Sequence, residues 1–343
     1  MQSNPWEGQR VLITGVCGTV GRELLRQVSN RNPAEIVGID NNESELFFVK
    51  EEYRNKDNTH FYLCDLRNAN RVRDVSRGVD IILHSAAFKH VILCEQSPRE
   101  AVYTNILGTQ NIIDAAQANE VKRVIYTSSD KAVNPTNVMG TSKLMGERLM
   151  TSANAHQRNS GPIFASTRFG NVLGSRGSVI PLFKKQIKSG GPVTLTDDRM
   201  TRFIMTLEQA VHLVMESVFL ARGGEVFITK MPIIRIEDLA HSMITELSKR
   251  NGFDKDVEIE IIGSKAGEKL YEELMNEEET RRTVDLPEFF VVLPAFQAIY
   301  NNINYEYPNM KQVGVDQSYT SRNGKPMSQN ELSNFLNEHK LLD

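Results

Sequence analysis

The sequence predicts an α/β protein built on a doubly wound parallel sheet, with a smaller substrate-binding region toward the C-terminal side. Three observations predict it. In the first half, short apolar runs alternate with helix-length amphipathic stretches. The runs are almost continuously β-branched and aliphatic, as strands covered on both faces are, rather than alternating apolar and polar residues. A glycine-rich turn separates the first run from the first helix.

The elements follow in order. Arg10-Val11-Leu12-Ile13-Thr14 reads as the first strand and 18–30 as a helix. Strands follow at 35–40, 61–64, 79–84 and 124–128, with helices at 43–54, 68–77 and 98–119 between them. Strands separated by helices of that length imply a parallel sheet with helices on both faces. A further helix is expected at 138–157. Beyond about residue 170 the glycine clusters 170–177, 189–192 and 223–224 break the pattern into shorter pieces, with helices expected at 206–222 and 236–250 and a strand at 258–262. The acidic run Glu277-Glu278-Glu279 reads as a solvated helix end or loop. The polar stretch 301–330 reads as an exposed arm or as an ordered wrap around a neighbour. The expected organisation is a cofactor-binding unit over 8–170, a mainly substrate-binding region over 171–295 interleaved with it, and a tail over 296–343.

Composition bounds the function. The chain has 343 residues, 40% hydrophobic and 24% charged, with 40 basic against 43 acidic side chains and a net charge of −3. That balance offers no field for nucleic acid or an anionic membrane surface. No stretch approaches the roughly 18 apolar residues of a membrane span, and the start Met1-Gln2-Ser3-Asn4-Pro5 lacks the basic-then-apolar order of a secretion signal; a cytoplasmic location is expected. The three cysteines, Cys17, Cys64 and Cys94, form no CxxC pair and read as reduced, buried thiols. The histidines never fall in HxxxH or HExxH spacing, so no metal is expected.

The turn Gly15-Val16-Cys17-Gly18-Thr19-Val20-Gly21 has the GxxGxxG spacing of a dinucleotide-binding loop in the required strand–loop–helix context. Gly15 adopts angles closed to other residues, Gly18 lets the main chain approach a pyrophosphate, and Gly21 lets the helix pack on the sheet. Thr19 and Val20 open the helix whose N-terminus faces the anion. Asp40 ends the second strand 19 positions after Gly21, where a carboxylate accepts hydrogen bonds from the adenosine ribose. It would repel a 2′-phosphate, and no arginine follows it in Asn41-Asn42-Glu43, so NAD is favoured over NADP. Asp65-Leu66 is placed for the adenine amine and face.

With Gly15 to Gly21, Asp65-Leu66, His84-Ser85-Ala86-Ala87, Thr104-Asn105 and Lys143, the chain resembles the extended short-chain dehydrogenase/reductase superfamily, a Rossmann-like fold. Longer blocks narrow this. His84 to Val91, Ser128 to Lys143 (SSDKAVNPTNVMGTSK), Arg168 to Val179 and Gly267-Glu268-Lys269-Leu270 resemble the bacterial UDP-N-acetylglucosamine 4,6-dehydratases over about 8–295.

The resemblance implies oxidation of the sugar at C4, loss of the C5 proton, departure of the C6 hydroxyl as water and hydride return to C6, with UDP-N-acetylglucosamine as substrate. Asp130 and Lys131 resemble the acid and the base of that elimination. Lys131 is expected to need a pKa brought toward neutral, by burial or by the charges of Lys143 and the oxidised nicotinamide. Lys143 resembles the lysine that binds the nicotinamide ribose. Met139, four residues before it, stands where most of the superfamily carries a tyrosine base. That leaves the C4 base to Asp130, or to a water held by Ser129 or Lys143. By the same resemblance Ala86, Ala87, Lys89 and Asn105 bind the cofactor. Lys89 and His90 follow the fourth strand, placed to meet the hexose or to steady the cofactor. Asn171, Ser178 and Val179 resemble the diphosphate- and sugar-binding segment, Arg202 resembles the arginine that clamps the diphosphate with its planar fork, and Glu268 resembles a ribose or uracil contact. Homo-oligomers are expected, through helices near 98–119 and 138–157. A UDP-sugar 4-epimerase and a silent NAD-binding module are the rival readings.

Overall fold

The computed structural model describes residues 4–155, 161–175, 177–251, 257–263, 267–296 and 303–342. Its main sheet starts with β1 (Arg10–Thr14), β2 (Glu35–Asp40), β3 (Thr59–Leu63), β4 (Ile81–His84), β5 (Arg123–Ser129) and β6 (Ile163–Phe169). The later chain contributes β7 (Asn171–Val172), β8 (Val193–Leu195), β9 (Thr201–Met205), β10 (Val226–Thr229), β11 (Ile233–Arg235) and β12 (Ile259–Ile261). After these come β13 (Glu273–Met275), β14 (Thr283–Asp285), β15 (Phe289–Val292), β16 (Gln312–Val313) and β17 (Tyr319–Thr320).

The large sheet runs β16-β14-β15-β10-β6-β5-β4-β1-β2-β3. From β3 to β10 every pairing is parallel; β15, β14 and β16 close the edge antiparallel. The order reverses between β1 and β4, which opens a crevice at the carboxyl ends of those strands. Small sheets β11-β9-β7, β12-β8 and β13-β17 stand over that end.

Alternation along β1 divides the core. Val11 and Ile13 pack toward the helices Thr19–Ser29 and Leu207–Leu220, whereas Leu12 packs toward Gly108–Ala118 and Val138–Ala155. A separate core joins Phe183 and Ile187 to Met243, Leu332 and Leu336, so the helix Gln329–Glu338 docks on Ile236–Asn251.

Three expectations change. Residues 98–119 are not one regular helix: Pro98–Ala101 leads into a π-helical stretch, Val102–Leu107, before Gly108–Ala118. The acidic run opens the short helix Glu277–Thr280, but Glu279 is buried rather than solvated. Arg168 explains it. Its guanidinium donates to both carboxylate oxygens of Glu279 (2.8 and 2.8 Å), to both of Glu147 (2.9 and 2.7 Å) and to the carbonyl of Leu274 (2.9 Å). The stretch 301–330, where described, wraps its own chain: Tyr307 is buried, its hydroxyl donating to Glu225 (2.8 Å), and β16 and β17 pair with β14 and β13.

Candidate active site

The carboxyl ends of β1, β4, β5 and β6 line a cleft of about 1020 Å³. Its floor at one end is the glycine turn. Gly15 has φ +68°, and a Cβ there would lie 2.8 Å from Ala86 Cα; a Cβ on Gly21 would lie 2.0 Å from the Gly15 carbonyl oxygen. Gly18 is the N-cap of the helix Thr19–Ser29 and has no side chain to cover its end, so the helix N-terminus opens on the cleft. Thr14 braces the opposite wall: its hydroxyl accepts from the Ala86 amide (3.1 Å), and its carbonyl accepts from Ser85 (2.6 Å).

Asp40 accepts the Cys17 amide (3.0 Å) on one oxygen and the Asn42 amide (3.0 Å) on the other, which aims its carboxylate along the cleft rim beside Glu45. Asp65 lines the cleft next to Leu66, but its carboxylate is already forked onto Arg67 at 2.5–3.0 Å, which pulls its pKa down. Burial pushes the Cys17 thiol up to about 12 and the Cys64 thiol up to about 11, and raises Cys94. All three are free and buried, as expected.

The reactive end lies where β5 stops. Asp130 is 1% exposed. Its Oδ1 accepts from the Ser129 hydroxyl (2.7 Å), the Lys131 amide (2.8 Å) and Lys131 Nζ (3.0 Å), while its buried Oδ2 has no hydrogen-bond partner among the described residues. One oxygen is saturated, and the other is left as the position for a proton or a ligand hydroxyl. Lys131 Nζ also sits 3.4 Å from Glu272 Oε1. Burial works against the ammonium, but Asp130 and Glu272 outweigh it and raise the Lys131 pKa. This corrects the expected depression toward neutral. The depression falls on Lys143 instead, which burial brings down to about 8. Lys143 Nζ donates to the Thr127 carbonyl (2.8 Å) and lies 4.8 Å from the centre of the Tyr126 ring. Met139 is buried against Cys94 and Ala101 and lines the cleft as an apolar wall.

Of the residues singled out in the sequence, the cleft brings together Gly15, Gly18, Thr19, Val20, Gly21, Asp40, Asp65, Leu66, Ala86, Ala87, Lys89, His90, Ser129, Asp130, Lys131, Met139, Lys143, Asn171 and Ser178. Four fall outside its lining. Asn105 is buried beneath it in the π-helical stretch, its amide spent on the Phe88 amide and carbonyl (2.8 and 3.0 Å) and on Ser142 (2.9 Å). These bonds tie it to the 85–89 loop. Arg202 is equally occupied, donating to the carbonyls of Thr201 (2.8 Å), Leu270 (3.2 Å) and Lys269 (2.9 Å), with Nε 3.6 Å from Glu272. Its fork is committed to protein oxygens. Val179 begins the helix Val179–Lys188 just behind Ser178, and Glu268 lies exposed in the 267–270 segment.

Sequence reasoning missed Glu272, 3% exposed and in contact with Lys131. The available signal was its position two residues after the Gly267-Glu268-Lys269-Leu270 block.

The residues fit a dinucleotide with a second polar ligand. Besides the glycine cradle, Ser128 Oγ, Asn171 Oδ1 and Ser178 Oγ are buried without hydrogen-bond partners among the described residues and belong to the cleft wall. Buried polar atoms left open in this way are where a polar ligand completes the bonding. No group of carboxylates, histidines and cysteines among the described residues is arranged to hold a metal ion.

A doubly wound sheet that presents a glycine turn at a helix N-terminus, a strand-end carboxylate and an adjacent Asp–Lys pair in one crevice defines a dinucleotide-binding protein. The profile of the polysaccharide biosynthesis protein family matches residues 11–294, and the chain belongs to that family. A UDP-N-acetylglucosamine 4,6-dehydratase (inverting) of Campylobacter jejuni is 34% identical over 97% of this chain and 98% of its own. A UDP-glucose 4-epimerase of Rickettsia rickettsii is 37% identical over 95% of this chain and 94% of its own. An uncharacterised membrane protein of Methanocaldococcus jannaschii is 45% identical over 91% and 96%. The chain spans about half the length of the capsular polysaccharide biosynthesis protein CapD of Staphylococcus aureus, 45% of that relative, at 44% identity over 78% of this chain. Among solved structures, Pen from Bacillus thuringiensis superposes with a TM-score of 0.90 at 41% identity, covering 99% of this chain and 100% of that one. No helix among the described residues is long and apolar enough to cross a membrane.

Proposed function

We propose that this chain is a UDP-N-acetylglucosamine 4,6-dehydratase that binds NAD and forms a 4-keto-6-deoxy sugar nucleotide for glycan synthesis. The observation that carries the reading is the Asp130–Lys131 pair, one carboxylate oxygen open to the cleft and one lysine beside it, at the strand end where such sheets place their ligands. Bound NAD supplies a hydride acceptor for C4 and the donor for C6, so that no net oxidation results. The chain's own residues move the protons. Asp130 Oδ2 takes the C4 hydroxyl proton and later delivers it to the departing C6 oxygen. Lys131, as the free amine, takes the C5 proton once C4 is a ketone. Ser129 keeps Asp130 Oδ1 occupied, so the exchanging proton stays on Oδ2. Lys143 orients the nicotinamide ribose, and Met139 keeps that wall dry. Asn171, Ser178 and the N-terminus of the helix Val179–Lys188 receive the diphosphate.

An epimerase is the specific rival, since relatives of comparable identity carry that name. It needs proton transfer at C4 only, and neither a second acid–base group beside C5 and C6 nor an apolar residue at 139 serves it. Incubation with UDP-N-acetylglucosamine in deuterated water separates the two by NMR. The proposal expects a 4-keto-6-deoxy product with solvent deuterium at C5 and no accumulated NADH. Inversion at C4 with an intact C6 hydroxyl overturns it.

Cofactor choice gives a second test. Asp40 and Glu45 share a rim of the cleft, and on this reading the adenosine ribose sits there. A 2′-phosphate about 4 Å from one carboxylate costs several kcal/mol at an effective dielectric near 20. NAD should therefore restore the apoenzyme at least about tenfold better than NADP, measured as kcat/KM for the cofactor. A cytoplasmic location and self-association belong to the same proposal. Exposed Ile92, Leu93, Leu107 and Met145, on the helices flanking the cleft, support assembly.

A further inference from the structure

Lys131 faces a contradiction in this site. As the base it must be a free amine when C5 becomes acidic, yet its Nζ lies between two carboxylates, 3.0 Å from Asp130 Oδ1 and 3.4 Å from Glu272 Oε1, an environment that holds it as an ammonium. Asp130 cannot relieve this, because its own oxygen is needed to shuttle the proton between O4 and O6. Glu272 has no such duty. It is 3% exposed, its Oε2 has no hydrogen-bond partner among the described residues, and its Oε1 faces Lys131 Nζ.

We propose that Glu272 is a positioning residue for the base: it takes the surplus proton of Lys131 and holds it through the turnover. The exchange is balanced, Lys131 ammonium and Glu272 carboxylate giving Lys131 amine and Glu272 carboxylic acid with no change of net charge and no exchange with solvent. Lys131 then accepts the C5 proton and later returns a proton to C5, while Glu272 stays protonated. Burial favours the acid form of Glu272 and raises its pKa, the same direction as the nearby charge of Asp130. The opposing cations are Lys131 itself, Arg202 on β9 with Nε at 3.6 Å, and Lys269. Lys269 is already held by the Val133 carbonyl (2.9 Å) and by Glu273 (3.4 Å), and Arg202 by three carbonyls, so both are fixed in place.

The position of Glu272 is itself set by the tail. The Glu272 amide donates to Ser321 Oγ (2.9 Å), the Ser321 amide donates to the Glu272 carbonyl (2.9 Å), and the β13–β17 pairing begins at the next residues, Glu273 and Thr320. Residues 319–321 thus hold the glutamate against a lysine on the opposite side of the cleft wall.

The inference rests on the dehydratase reading. The test is kcat against pH from 6 to 10 for the holoenzyme with UDP-N-acetylglucosamine, in wild type, Glu272→Gln and Glu272→Asp. Wild type should be nearly flat from pH 7 to 9, because the working form arises by internal transfer. Glu272→Gln must lose the Lys131 proton to solvent, so its kcat should fall at least tenfold at pH 7 and rise about tenfold per pH unit toward alkaline values. KM and NAD binding should change little, which also shows that the variant folds. Glu272→Asp should recover part of the flat profile. A Glu272→Gln profile parallel to wild type, or one shifted to lower pH with an undiminished rate, overturns the inference while leaving the dehydratase reading intact. No 4-keto product from wild type overturns that reading instead.

Discussion

Replacing Lys131 with alanine should lower the dehydration rate by about 10²- to 10⁴-fold, the range a positioned general base contributes. The fold should survive. Lys131 lies in a single turn after β5, and its side chain is 28% exposed. Asp130 Oδ1 keeps the Ser129 hydroxyl and the residue-131 amide after the ammonium is gone. Cofactor binding should be retained, because none of the glycine turn, Asp40 or Lys143 touches Lys131. The diagnostic is isotopic as well as kinetic: the variant should leave C5 unlabelled in deuterated water even where slow oxidation at C4 persists. Asp130→Asn should be impaired to a similar degree by a different route, since an amide has no proton to give the C6 oxygen. Turnover at the wild-type rate in either variant would remove that residue from the mechanism.

The second large effect is on stability. Arg168→Met should cost about 3–5 kcal/mol, the penalty for removing one partner from a buried ion group. Glu147 and Glu279 would then face each other, both 2% exposed, without the guanidinium that now satisfies all four of their oxygens. The sign of the pH dependence follows from the shift. Arg168 helps to hold the Glu279 pKa below its ordinary 4.5 against the opposing effect of burial, so the wild-type contribution is present above that value and is lost as pH falls through the lower, folded one. In the variant the two carboxyls are easier to bury protonated. The stability gap, measured by thermal unfolding, should therefore be widest at neutral pH and narrow as pH drops below about 4.5. A gap independent of pH would mean that the arginine acts through packing alone.

Much of this architecture was legible in the residues because its signals are local. A strand buried on both faces writes itself as an uninterrupted apolar run, and the glycine turn announces both its geometry and its ligand; β1, β2 and β5 fall within a residue or two of where that logic put them. The third strand starts two residues before Phe61, at the polar Thr59, and the fourth starts two residues after the apolar Val79, at Ile81. What could not be read was anything settled by a partner distant in sequence. Glu279 looks like one more surface acid until Arg168 is brought to it across the sheet. Arg202 looks like a free fork until the carbonyls of Thr201, Lys269 and Leu270 are found around it. The charge on Lys131 was misjudged for the same reason: its strongest neighbour besides Asp130 is a glutamate 141 positions further along. The tail shows no periodicity because its two short strands and its tyrosines are each placed by tertiary contacts, and the helix Gln329–Glu338 went unread although its capping residues Ser328 and Glu331 carry a local signal.

The latch between Ser321 and Glu272 gives the molecule an order of maturation. Lys131 and Ser321 are about 190 residues apart, so at roughly 5–20 residues per second a ribosome spends about 10–40 s between them. Through most of that interval the strands β1 to β6 already exist, while the segment that steadies the glutamate has not been made. On the proposed mechanism, the segment that steadies Glu272 is therefore the part of the site made last, about 190 residues after Lys131.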